Sequence, residues 1–270
     1  MFDSGAGTSP ATGNHVGHIR VIHGVRSPQL GNTRDVHVYL PPSYRTSGRH
    51  YPVIYMHDGQ NLFDPDTSFA GEWHVDETME RLSPQGIEAI IVAIPNMGPD
   101  RAYEYSPWRD PRVGGGGGDA YLAFLVDTLK PRIDRQLRTR RERDATGILG
   151  SSMGGLISLY AFFKRPDIFG FCGAMSPSLW FARGAIASVV GNIERWFGRL
   201  YLDIGTGEGQ RHVRATRQLY RHLRRRCPYP RDQILCVVDE GAGHSEHAWS
   251  QRFETAVRFL LPRAPGEINW

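Results

Sequence analysis

The sequence predicts an α/β fold, a mostly parallel sheet of about eight strands with helices on both faces. Three observations point to it. Short runs rich in β-branched and aromatic residues alternate with longer amphipathic segments along most of the chain. The runs at 52–57 and 87–94 are apolar nearly throughout, as in strands buried on both sides. The 270 residues, 40% hydrophobic and 22% charged, have the balance of a soluble globular chain that one core can serve.

Two opening strands, 19–26 and 36–40, are joined through Gly31 and Asn32, which suits an antiparallel start, and Pro41 and Pro42 end the second. A buried strand at 52–57 leads into a long loop through Gly71 and a helix at about 74–82, and 87–94 is the next strand. The stretch 95–118 is polar, aromatic and glycine-rich and is too long for an ordinary connection. It is expected to be a surface excursion, with the run Gly114 to Gly118 acting as a lid hinge or forming a disordered loop. The alternation then continues with a helix at 119–137, a strand at 145–149, a helix at 152–164 and a strand at 170–175. A strand at 199–204, a helix at 210–226, a strand at 233–238 and a closing helix at 247–261 complete it. Residues 1–18, polar and rich in Gly, Ser and Thr, read as a disordered segment, leaving 19–270 as a single domain with an inserted loop at 95–118. There is no internal repeat.

The formal net charge of +4 rests almost wholly on arginine, since Lys130 and Lys164 are the only lysines. Arg214, Arg217, Arg221 and Arg224 recur at helical spacing and read as a solvated helix face, so no nucleic-acid partner is expected. Cys172, Cys227 and Cys236 are odd in number and lack a Cys-x-x-Cys pair, and Cys172 and Cys236, inside apolar runs, read as buried thiols, which suits a reducing compartment. No apolar run approaches the roughly 20 residues that cross a bilayer, and the N-terminus has no apolar signal core. A cytoplasmic protein without a membrane partner is the expectation; a secreted enzyme whose signal has been removed reads the same way.

Gly150-Ser151-Ser152-Met153-Gly154 follows the strand at 145–149 and opens a helix. In that context a Gly-x-Ser-x-Gly run is a nucleophile elbow: the glycines allow a tight turn, and the turn lifts Ser152 to the helix N-terminus, where developing negative charge is favoured. Serine is a poor nucleophile at neutral pH and needs a base. His244 and His247 both qualify, and His244, in the glycine loop 241–244, is preferred because a loop can present both ring nitrogens. The pair lacks ligand partners at metal spacing. The acid belongs at a strand end between serine and histidine; Glu208, after the strand at 199–204, fits better than Asp203 inside it or Asp239 on the next.

These motifs, with the run Tyr51-Pro52-Val53-Ile54-Tyr55-Met56-His57-Asp58-Gly59-Gln60-Asn61-Leu62-Phe63-Asp64, resemble the putative-esterase family of α/β hydrolases. That family includes enterochelin esterases, feruloyl and acetyl-xylan esterases, S-formylglutathione hydrolases and mycobacterial mycolyltransferases. The resemblance covers about 36–261 and implies an α/β-hydrolase fold, carboxylic-ester hydrolysis through an acyl-enzyme on Ser152, and no cofactor or metal. It also favours Glu208 as acid and His244 as base, and it assigns the oxyanion-hole N–H groups to Gln60 and Met153. Three segments resemble parts that line the family's site, which makes Tyr105, Trp108, Trp180 and Trp249 candidates for an aromatic substrate pocket. The expected partner is a small-molecule or carbohydrate-linked ester. The same triad would serve an acyltransferase, whereas a non-catalytic binding protein predicts a broken one. A separate N-terminal binding domain, a signal peptide and a carbohydrate-binding module, which particular members carry, are not found in the sequence.

Overall fold

The computed structural model describes residues 7–11, 13, 15–191, 198–226 and 230–261. Nine strands form one sheet: β1 (Thr8–Pro10), β2 (His18–Ser27), β3 (Asn32–Leu40), β4 (Val53–His57), β5 (Ile90–Ile94), and, after a separate hairpin of β6 (Arg109–Asp110) and β7 (Gly114–Gly115), β8 (Thr146–Ser151), β9 (Phe171–Met175), β10 (Arg199–Gly205) and β11 (Ile234–Asp239). Their order is β1-β2-β3-β5-β4-β8-β9-β10-β11. Pairing is antiparallel from β1 through β3 to β5 and parallel from β5 to β11. The helices are α1 (Val75–Leu82), α2 (Arg101–Glu104), α3 (Gly118–Ala123), α4 (Lys130–Gln136), α5 (Met153–Lys164), α6 (Ile186–Gly191), α7 (Gln210–Arg226) and α8 (Glu246–Leu260).

Side chains alternate across a strand, so a strand buried on both faces feeds two cores. Val53 and Tyr55 of β4 and Ile90, Val92 and Ile94 of β5 enter one core with residues of α3 to α7. Ile54 and Met56, with Ile91 and Ala93, enter the other, which α1 and α8 cover. The expected helices on both faces are thus present. The predicted helix 119–137 is α3 and α4 joined through a π-helical turn at Phe124–Leu129. On α7, Arg214, Arg217 and Arg221 are exposed while Val213, Thr216 and Leu223 point inward. Among the described residues no helix is long and apolar enough to cross a membrane. Cys172 is buried, Cys236 is half-buried, and both are free thiols; Cys227 lies outside the described residues.

Two expectations are corrected. The segment 1–18 is not wholly disordered, because Thr8–Pro10 pairs with β2 and supplies the ninth strand, and the Val16 N–H donates to Asp76 Oδ2 at 2.8 Å. The ten-residue β2 would otherwise leave an unpaired edge there. Residues 1–6, 12 and 14 lie outside the described residues. The excursion 95–118 is ordered: Arg34 of β3 grips buried Glu104 through two hydrogen bonds of 2.6 and 2.9 Å, and β6 and β7 form a hairpin. In place of the expected hinge or disordered loop, the glycine run is tied down by hydrogen bonds, with Gly116 and Gly118 N–H groups on Ser106 O at 2.8 and 3.0 Å, and Gly115, Gly117 and Gly118 are closely packed while Gly114 stands in open space. A β-carbon on Gly118 would meet the Pro107 nitrogen at 2.4 Å, so close approach is what these glycines allow.

Candidate active site

Ser152 joins β8 to α5 with φ 55° and ψ −119°, a positive-φ backbone that a side chain disfavours. Neighbouring strands hold it there. Its N–H donates to Met175 O at 3.0 Å, and its carbonyl accepts from Leu156 and Ser178 N–H groups at 3.0 and 2.9 Å. A β-carbon on Gly150 would lie 2.8 Å from the Gly154 carbonyl carbon, so the turn closes this tightly only around glycine. Under the elbow sits buried His57, whose Nδ1 is 2.9 Å from the Tyr121 hydroxyl. Burial drives its pKa down to about 3, so the ring is neutral at physiological pH.

His244 lies in the loop after β11. Its Nε2 is 2.9 Å from Ser152 Oγ and its Nδ1 is 2.7 Å from Glu208 Oε2, which fits an Nδ1–H tautomer that donates to the carboxylate and accepts from the serine. Glu208, in the 3₁₀ turn Thr206–Glu208 after β10, also takes the Gly205 N–H at 2.9 Å and the Ser176 hydroxyl at 2.5 Å on Oε1. Burial alone would raise its pKa, but the donors from His244, Ser176 and Gly205 outweigh that and hold the carboxyl below its ordinary value. Ser152, His244 and Glu208, chosen from sequence, are brought together in one hydrogen-bonded row.

The rivals go elsewhere. Asp203 is buried inside β10, accepting Arg252 Nε at 3.0 Å and the Ser176 N–H at 2.9 Å. Burial pushes its pKa up to about 6 against the opposing pull of Arg252. Asp239 binds the same guanidinium at 3.2 Å. His247 is exposed on the first turn of α8.

Gln60 sits in the 3₁₀ turn Gly59–Asn61 that follows β4, facing the Ser152 cleft. The turn is locked from outside: Asp58, at φ 54°, binds Arg101 through contacts of 2.7 and 2.8 Å and Asn96 Nδ2 at 2.7 Å. Met153 opens α5, so its N–H is among those with no intrahelical partner.

Two clefts meet at His244. One, of about 950 Å³, is lined by Ser152, Gln60, Asn61, Phe69, Arg101 and Trp249 among others. The other, of about 860 Å³, includes Trp180, Arg112, Arg183, Arg211 and Glu208. Of the four aromatic candidates, Trp180 is 43% exposed and lines the second cleft. Trp249 is only 4% exposed and forms the floor of the first, with its indole N–H on Ser176 Oγ at 3.0 Å. The other two are corrected. Tyr105 is fully buried beside His57 and Tyr121, and its hydroxyl accepts the Asp58 N–H at 3.0 Å. Trp108 packs edge-on against Tyr160 at 5.4 Å and lines neither cleft. In both cases the aromatic surface serves packing, which a sequence pattern cannot distinguish from substrate contact.

Sequence reasoning also missed Arg252 and Phe69. Arg252 interrupts the apolar face of α8 between Trp249 and Phe253, a signal for a buried charge with a job. Phe69, 92% exposed at the rim of the Ser152 cleft, gives no pattern at all.

A parallel sheet covered by helices, with a strained serine at the end of β8, defines an α/β hydrolase. The family model described as putative esterase matches residues 27–260. The chain belongs to this putative-esterase family and is a carboxylic-ester hydrolase. It is 28% identical over 252 residues to YbbA, an uncharacterized protein of Bacillus subtilis strain 168, covering 88% of this chain and 97% of that one. The siderophore enterobactin esterase of Emericella nidulans is 28% identical over 52% of this chain and 50% of its own length. Among solved structures, an IroE-like serine hydrolase from Shewanella oneidensis superposes with a TM-score of 0.73 at 22% identity, over 89% of this chain and 79% of that one.

Proposed function

We propose that Ser152, His244 and Glu208 act as a catalytic triad that cleaves small-molecule esters through an acyl-enzyme. The observation that carries this reading is the unbroken row of contacts, 2.9 Å from serine to imidazole and 2.7 Å from imidazole to carboxylate. His244 Nε2 takes the Ser152 proton as the serine oxygen attacks the ester carbonyl. Glu208 holds the imidazole by Nδ1–H and stabilises the imidazolium that forms. The Gln60 and Met153 N–H groups receive the oxyanion, at the helix N-terminus and the β4 turn. Collapse of the tetrahedral species breaks the ester C–O bond, and the imidazolium returns its proton to the leaving alcohol. Water then repeats the cycle on the acyl group, releasing the acid and restoring the serine.

The two clefts flanking His244 suit groups on both sides of a scissile bond. The siderophore esterases among the relatives make a siderophore-type ester the first substrate class to test, ahead of carbohydrate-linked esters. The free thiols fit a reducing, cytoplasmic setting, and the expected domain 19–270, extended at its start by the strand Thr8–Pro10, fits one catalytic unit built on the nine-stranded sheet. The experiment is a panel of aryl, alkyl, feruloyl, acetylated-sugar and siderophore esters, with fluorophosphonate labelling, on wild type and Ser152→Ala. The variant should lose labelling and about five to six orders of magnitude in kcat; labelling or turnover at full strength would sink the reading.

A further inference from the structure

Ser176 follows β9 with φ 41° and is almost fully buried at the edge of the second cleft. Its backbone N–H is fixed on Asp203, at 2.9 Å from Oδ1 and 3.1 Å from the carbonyl oxygen. Its hydroxyl has three neighbours: Trp249 Nε1 at 3.0 Å, Arg252 Nη2 at 3.1 Å and Glu208 Oε1 at 2.5 Å. An indole N–H and a guanidinium can only donate, and a hydroxyl has two lone pairs and one proton. Both lone pairs are therefore occupied, and one direction is left for the proton.

We propose that Ser176 is a positioning residue of the reaction, its hydroxyl compelled by Trp249 and Arg252 to donate to Glu208 Oε1 and so to hold that carboxylate with its other oxygen on His244. The proposal rests on the reading of Glu208 as the triad acid. A contact of 2.5 Å lies in the range of charge-assisted O–H···O⁻ hydrogen bonds. With Ser176 and Gly205 both on Oε1, Oε2 is the oxygen that meets His244. The same hydroxyl ties down the Trp249 indole, which stands edge-on to the His244 ring at 4.9 Å and 84°. One buried hydroxyl thus sets both the carboxylate that binds the imidazole and the ring that packs against it. Asp203, the rejected candidate for the acid, anchors the backbone of the residue that orients the acid.

The test is the pH profile of kcat/KM for Ser176→Ala and Trp249→Phe, beside Glu208→Ala, with circular dichroism to confirm folding. Losing a hydrogen bond to a charged group lowers kcat about 10- to 100-fold in Ser176→Ala, with KM within about twofold of wild type. A carboxylate with one donor fewer presents more charge to His244 and favours its imidazolium, so the acid limb moves to higher pH by on the order of half a unit. Trp249→Phe keeps a ring but frees one lone pair, and it should move the limb the same way by less. If Ser176→Ala does not fold, Trp249→Phe decides by the same criterion. An acid limb that stays in place or moves down, beside a crippled Glu208→Ala, overturns the proposal alone. A fully active Glu208→Ala removes the triad reading, and the proposal with it.

Discussion

The two ends of the hydrogen-bonded row are supported by opposite kinds of chemistry. Beneath Ser152 the adjoining groups are neutral and aromatic: His57, Tyr105 and Tyr121 are buried together, the paired guanidinium groups of Arg34 and Arg101 lie against the Tyr121 and Tyr105 rings at 5.7 and 5.1 Å, and backbone contacts from β9 fix the strained turn. Beneath Glu208 it is ionic, with Arg252 shared among Asp203, Asp239 and the Ser176 hydroxyl. The difference follows from what each end must do. A serine must be placed, which sterics and backbone geometry achieve with no charged group bonded to it. A buried carboxylate must also stay ionised, which requires donors and a nearby cation.

The ionic side should break hardest. Arg252→Met leaves Asp203 buried and uncompensated, and removing one partner of a buried ion pair costs about 3–5 kcal/mol. Urea unfolding should show that loss, and a loss below about 1 kcal/mol would mean that the guanidinium does not neutralise the buried acid. The neutral side should instead betray itself through pH. The His57 pKa is lowered to about 3 from an ordinary 6.5. Below pH 6.5 the unfolded chain therefore takes up a proton that the folded one refuses, and stability falls as pH falls. Between pH 6.5 and 4 that amounts to about 3 kcal/mol. A His57→Gln variant should show a correspondingly flatter stability curve over the same range; a slope equal to that of wild type would show that His57 is not the group responsible.

The same contrast governs what could be read in the sequence. Ser152 was legible because its turn needs glycines at fixed offsets, and His244 and Glu208 because they follow strands in a required order. Gly118 was misread because a glycine permits both freedom and close packing, and only the nearby Pro107 nitrogen shows which applies. Tyr105 was misread for a related reason, since whether a ring faces a cleft or a core is decided by distant residues such as His57 and Tyr121. Thr8–Pro10 has no strand pattern of its own and is ordered only by the edge of β2. The helix α6, absent from the sequence reading, is a single short apolar segment packed under α5, too brief to display a helical period.

Reactive row and ionic brace can be told apart by a single comparison, the kcat and unfolding midpoint of Glu208→Gln against those of Asp203→Asn. Glu208→Gln should lose about three to four orders of magnitude in kcat, as loss of a triad acid does, with its unfolding midpoint close to that of wild type. Asp203→Asn should keep most of its turnover while its unfolding midpoint drops. A Glu208→Gln enzyme at wild-type turnover, or an Asp203→Asn enzyme crippled in kcat with an unchanged midpoint, would contradict the assignment of Glu208 as the acid that serves His244.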